Sequence, residues 1–181
     1  MLGHAGGSTG TFTFENVPVT SEDFLRPNAN GLQDTYEMIA IDRALYGLSA
    51  THCIRPLFEQ AMAFTNERHS FGRPIAEHQL VQLRIVEAYR AMMTGNAVAR
   101  AAITAFLAGD ADAVARCSLA KLVCTEGYLS ASRHLMSVMG HTGYEHGPFT
   151  AAFGDAVGSC IAAGTNDIQV VNIFRSLQRL G

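Results

Sequence analysis

Chemistry in this chain concentrates at two places. The stretch Gly164-Thr165-Asn166-Asp167 has the make-up of a helix mouth. Thr165 can cap free backbone N–H groups, and Asp167 favours the positive end of a helix dipole. Gly164 permits close approach, so the same N–H groups could instead face a ligand oxygen. Capping and ligand binding use the same residues, and spacing does not separate them. The mouth has no acid or base in front of it, because Ala162 and Ala163 precede it. A candidate lies far upstream in AIDRALYG (40–47), where Asp42 and Arg43 sit side by side among Ile39, Ile41, Leu45 and Leu48. On an exposed face this pair is ordinary solvated charge. Buried, desolvation and the neighbouring guanidinium would pull on the carboxyl proton in opposite directions, which is the setting of a tunable base. The functional reading therefore requires Asp42 to point inward, with Arg43 beside it.

Other reactive side chains are read as structural. HTGYEH (141–146) holds two histidines and a glutamate, but Gly143 interrupts it and the spacing matches no helical zinc pair, so no metal is expected. His52, His69, His78 and His134 are isolated. Cys53, Cys117, Cys124 and Cys160 form no C-x-x-C pair and fall mostly among alanine and leucine, as reduced thiols in a cytoplasmic protein would.

At 181 residues and 48% hydrophobic, the chain can bury one core. A formal charge of −3 with scattered Lys and Arg argues against nucleic acid as a partner. No run approaches about 18 uninterrupted apolar residues, and MLGHAGGSTG resembles no signal peptide, so neither export nor membrane insertion is expected.

The elements that must position these residues are mostly helical. Thr11–Phe14 alternates like a half-buried strand, and Pro18 and Pro27 break the adjoining segment into loop. A long helix is expected from about Leu32 to Arg68, with Ile54, Leu57, Phe58 and Ala61 on one face and Pro56 as a kink or boundary. Further helices are expected from about Ile75 to Leu107 (Val81, Ile85, Ala88, Met92) and from Asp112 to Met139 (Val114, Cys117, Ala120, Cys124, Gly127). GHTGYEHGPF reads as loop, and a final helix would pack through Val170, Ile173, Phe174 and Leu177. The expected fold is all-α, an up-and-down four-helix bundle over 32–181, with a glycine-rich start, single strand and loop over 1–31.

Three ordered stretches carry a resemblance to the acyl-CoA dehydrogenase family, in its C-terminal helical half. ERHSFGRPIAEHQLVQ (67–82) looks like the family's E-R-x-x-F-G-x-P-I-x-x-x-Q signature, MGHTGYEHGP (139–148) like its glycine loop, and AAGTNDIQ (162–169) like its E-G-T-x-x-I-Q ending. Residues 1–31 then resemble the close of the family's middle β-domain. The resemblance implies a helical domain that binds FAD at a subunit interface and helps oxidise the CH–CH bond of an acyl thioester. It implies that Arg68, Ser70, Phe71 and Gln79 touch the FAD of a neighbouring subunit, with Thr165 and Asp167 near their own.

Departures from the pattern matter equally. The usual glutamate before G-T is Ala163, the aromatic before it is Ala162, a flavin-facing glutamine corresponds to Ser137, and an arginine to Gly154. Some family members carry the base on the first helix, immediately before an arginine, and counting back from Arg68 places that pair on Asp42-Arg43. The family's N-terminal half is missing from this sequence, so a homo- or hetero-oligomeric partner carrying it is expected. Two alternatives stay open: a flavin-free enzyme using Asp42, Arg43 and Tyr46 in a bundle cavity, and a non-catalytic assembly subunit.

Overall fold

In the computed structural model, which describes residues 1–7, 9–24 and 30–180 (of Leu180 the backbone only), helix follows helix from Asn30 onward. Asn30 starts the first one, its side chain accepting the N–H groups of Leu32 and Gln33 at 3.2 and 3.4 Å. Helix α1 spans Gly31–His52 and α2 spans Ile54–Glu67. The single helix expected here is thus two. Pro56 has no N–H to offer the carbonyl four residues back, so the ladder restarts and Pro56 falls in the first turn of α2, where the missing donor costs nothing. Pro27, read as a loop breaker, lies outside the described residues.

Next comes a two-residue hairpin, β1 (His69–Ser70) against β2 (Arg73–Pro74), with His69 opposite Pro74 and Ser70 opposite Arg73. A short 3₁₀ turn over Ile75–Glu77 leads into α3 (Gln79–Ala108), which Gly109 closes in the left-handed conformation at φ +74°. Then come α4 (Ala113–Met139), the single turn α5 (His141–Tyr144), α6 (Pro148–Ser159) and α7 (Asn166–Leu180). Residues 140–149 are therefore not all loop, since His141 to Tyr144 closes one helical turn.

Helix α4 is the axis of the bundle and touches every other helix. One core cluster joins Ile54, Leu57, Ala88, Tyr128, Leu135 and Phe149, and a second joins Ala44, Ala99, Ala102, Cys117, Ala120 and Cys124. The second is built from small residues, which lets backbones approach closely. A Cβ on Gly47 would lie 3.0 Å from the Ala120 carbonyl oxygen, and one on Gly95 would lie 2.3 Å from Thr51 Oγ1.

Two expectations fail. Thr11–Phe14 forms no strand: Phe12 and Phe14 are exposed, and among the described residues the only ladder is β1–β2. On α7, Val170, Phe174 and Leu177 face solvent, whereas Gln169 is fully buried and Ile173 half-buried. The helix turns a largely polar side inward because Gln169 bonds the chain in front of it, leaving the apolar stripe uncovered. Helix α3 is long and apolar enough to cross a membrane by length and composition, yet Ala88, Gly95, Ala99, Ala102 and Ala105 are buried in the bundle. Its other side exposes Leu80, Leu83, Val86, Tyr89 and Met93.

Candidate functional site

Asp42 does not point into the bundle. The buried residues of α1 are Ala40, Ala44, Gly47, Ala50 and Thr51. At 100° per residue, position 42 lies on the opposite side from 40 and 44, and its side chain is exposed. Arg43 borders the buried stripe and is half-buried. Its Nε is sealed from solvent and has no hydrogen-bond partner, as is the hydroxyl of Tyr46 one turn later. Burial pulls the Arg43 guanidinium below its ordinary value, with Cys117 and Asp42 opposing, and burial pushes the Tyr46 phenol up. The interior of α1 thus receives the cation and the phenol, not the carboxylate.

The mouth of α7 is a locked turn. Ala163 and Gly164 both lie at positive φ, +54° and +86°. Thr165 caps α7, its Oγ1 accepting the Ile168 N–H at 3.4 Å, as the sequence suggested, and Asp167 is exposed in the first helical turn. Gln169, folded back from inside the helix, brings Nε2 to the carbonyls of Ala163, Gly164 and Thr165 at 3.3, 3.0 and 3.4 Å. With its carbonyls gathered inward, the turn leaves the amides of Ala163, Gly164 and Thr165 without an acceptor among the described residues. Beneath it, Lys121 is fully buried on α4 and donates to the Cys160 carbonyl and to Asn166 Oδ1 at 3.1 and 2.7 Å. Lys121 does not stand out in the sequence, and Gln169 enters there only as the last letter of the AAGTNDIQ ending, without a role. The signal for Lys121 was a single charge in the run CSLAKLVCT (117–125).

The hairpin after α2 is the open counterpart. Its tip residue Phe71 stands at φ +52° and is 94% exposed, with its ring edge-on to His78 at 6.0 Å. The His78 ring contacts the Ser70 carbonyl at 3.2 Å, and the Ile75 N–H donates to the Arg68 carbonyl at 2.8 Å, closing the hairpin from below. Phe71, Arg73, Glu77, His78, Gln79 and Leu80 line a shallow cleft of 490 Å³. The Arg68 side chain is exposed and Ser70 half-buried. Of the residues singled out by sequence, the structure gathers Arg68, Ser70, Phe71 and Gln79 here. It places Asp42 and Arg43 on α1, Thr165 just before α7 and Asp167 in its first turn. Among the described residues no hydrogen bond or ion pair joins the hairpin to the other two groups.

At the positions that depart from the family pattern, Ser137 is exposed and donates to the Arg133 carbonyl of its own helix at 2.8 Å. Gly154 has no room for a side chain: a Cβ there would meet the Leu2 carbonyl oxygen at 2.4 Å, because residues 2–4 run across α6. The His4 N–H donates to the Asp155 carboxylate on the same face. Among the described residues, no three His, Cys, Asp or Glu side chains gather as a metal site.

A sequence profile described as the C-terminal domain of acyl-CoA dehydrogenase matches residues 29–178. The chain belongs to the acyl-CoA dehydrogenase family. It is 25% identical over 178 residues to a cyclohex-1-ene-1-carbonyl-CoA dehydrogenase of Geobacter metallireducens, covering 97% of this chain and 47% of that protein. It is 26% identical to a mitochondrial 2-methylacyl-CoA dehydrogenase of Solanum tuberosum, covering 97% and 43%. The butyryl-CoA dehydrogenase of Megasphaera elsdenii superposes on it with a TM-score of 0.85 at 19% identity, over 92% of this chain and 43% of that one. The family member described here therefore spans somewhat under half the length of the relatives it matches.

Proposed function

We propose that this chain is the C-terminal helical part of an acyl-CoA dehydrogenase-type flavoprotein, whose remaining half is supplied by a partner polypeptide. Its reaction would be the α,β-dehydrogenation of an acyl thioester. The observation that carries the reading is the hairpin. The signature ERHSFGRPIAEHQ is intact: Phe71, Arg73 and Gln79 set a bare aromatic ring, a guanidinium and an amide around one open cleft, and the Arg68 side chain is exposed at the foot of the same hairpin. A phenyl face, an arginine and a glutamine amide suit an aromatic ring system carrying phosphates, so the residues fit FAD on this side. Arg68, Ser70, Phe71 and Gln79 would hold it from the hairpin, and Thr165 and Asp167 would approach it from the mouth of α7. FAD, when bound, supplies the acceptor for the hydride leaving the β-carbon.

The chain's own chemistry would rest on α1. The Asp42 carboxylate would take the proton from the α-carbon, while Arg43, half-buried in the bundle wall, sets a positive charge beside it. Because Asp42 is exposed, it can act only where another surface covers α1 and excludes water. The apolar residues left bare on α7 and α3 favour such a cover. A flavin-free cavity built on Asp42 is not supported, since that carboxylate faces away from the interior.

A second reading, an assembly subunit without turnover, is favoured by Gly154, where the chain's own residues 2–4 fill the space a side chain would need. Flavin content separates the readings. Purified with its native partner, the wild-type chain should show the flavin absorption bands. Arg68→Ala and Phe71→Ala should lose most of the bound flavin while remaining folded. A colourless assembly, or flavin content indifferent to both substitutions, would end the flavoprotein reading.

A further inference from the structure

The interior holds one ammonium that the proposed chemistry does not use. Lys121 is 0% exposed, and no carboxylate bonds it. The charged groups that act on it include Arg43, of like sign, and the exposed Glu126. Burying a charge in this way is costly, and an apolar side chain of similar volume would pack the same space without that cost. What an apolar side chain cannot do is hold two separate segments of chain at once.

Lys121 does so. Its Nζ donates to the Cys160 carbonyl at 3.1 Å and to Asn166 Oδ1 at 2.7 Å, the last residue before the turn and the first residue of α7. Asn166 Oδ1 also accepts the Thr125 hydroxyl at 3.1 Å, and the Asn166 N–H donates to the same Cys160 carbonyl at 3.0 Å. Both ends of Ile161–Thr165 are therefore tied to one side chain of α4. Inside that span two successive residues, Ala163 and Gly164, sit at positive φ. A left-handed alanine persists only where its surroundings over-determine it.

We infer that Lys121 is the positioning residue of this turn: it fixes the separation of Cys160 and Asn166, and with it the direction in which the amides of Ala163, Gly164 and Thr165 face. Its meaning for catalysis rests on the proposed function, in which Thr165 and Asp167 approach the flavin from this turn. The geometry itself does not rest on that function.

Hydrogen–deuterium exchange on the full chain, without added cofactor, tests it. Lys121→Met should speed exchange in peptides covering 160–169 by about tenfold or more, the order expected for losing bonds to a charged group. Peptides from the α3–α4 seam, such as 95–105, should exchange at the wild-type rate. Asn166→Leu should reproduce the effect, whereas Asn166→Asp, which keeps the acceptor, should stay within about twofold of wild type. Equal acceleration everywhere, an unchanged turn, or Asn166→Asp as fast as Asn166→Leu would overturn the inference. Should Lys121→Met fail to fold, the two Asn166 variants decide between the same outcomes. Loss of the flavin reading would leave this measurement intact.

Discussion

The hairpin after α2 and the turn before α7 carry two of the three stretches that resemble the family, and they are built in opposite ways. The carbonyls of the turn are satisfied from within: Gln169 gathers them, Lys121 and Asn166 tie the ends, and Thr165 caps α7. The hairpin is closed at its base, but its tip, Phe71, stays 94% exposed and meets the chain through an edge contact with His78. An element whose carbonyls are gathered inward can present a fixed face by itself. An element that leaves an aromatic ring bare acquires its role only against another surface.

That contrast can be broken by substitution, beginning with the largest effect. Gln169→Leu keeps the volume but strips the donor from three carbonyls, and should cost about 1–3 kcal/mol in urea unfolding. A smaller loss would mean that the turn is held elsewhere. Next is alkaline pH, which probes the seam beneath the turn. Burial pushes the Cys117 thiol from 9.0 up to about 11, and raises Cys124 and Tyr128 as well. Between about pH 9 and 11 the folded state keeps protons that the unfolded chain has released, so stability falls as pH rises through this window. The loss should be on the order of 1–2 kcal/mol. Lys121, whose value is lowered by burial, works in the opposite sense. Cys117→Ala should flatten the decline measured by urea unfolding at pH 8 and 10.5.

Smaller still, Ala163→Gly relieves a left-handed alanine and should raise stability by about 0.5–1 kcal/mol, offset in part by the freedom glycine adds to the unfolded chain. Smallest is Phe71→Ala, which should move the midpoint of the isolated chain by no more than about 0.5 kcal/mol. A large loss there would show that the hairpin tip supports the bundle, and the contrast between the two regions would fail.

Sequence periodicity worked where large apolar residues do the packing. Ile54, Leu57 and Ala61 on α2 and Ala88 on α3 are buried, with Phe58, Val81, Ile85 and Met92 packed against them. It misled on α1, where small residues (Ala40, Ala44, Gly47, Ala50) form the inward face. They contribute little hydrophobicity, so the larger Ile39, Ile41, Leu45 and Leu48 dominate the apolar pattern around Asp42 although the inward stripe lies elsewhere. On α7 the apolar period is real but faces outward. Its inward positions are taken by Gln169 and its neighbours, and among the described residues the stripe is left bare. The strand at Thr11–Phe14 fails for a related reason, because alternation specifies a strand only when a partner offers its ladder. The candidate site was legible as motifs, Gln169 among them, whereas the holding role of Gln169 and of Lys121 shows only through their bonds.

The central question is whether Asp42, on the outer face of α1, moves the α-proton. The direct measurement is anaerobic absorbance of the partner-bound protein while a saturated acyl-CoA thioester is added, comparing wild type, Asp42→Asn, and Asp42→Asn combined with Ala163→Glu. The expected result is that the flavin bands bleach in wild type, persist in Asp42→Asn, and bleach again in the double variant, where a carboxyl is restored before Gly164. Bleaching of Asp42→Asn at the wild-type rate would contradict the assignment.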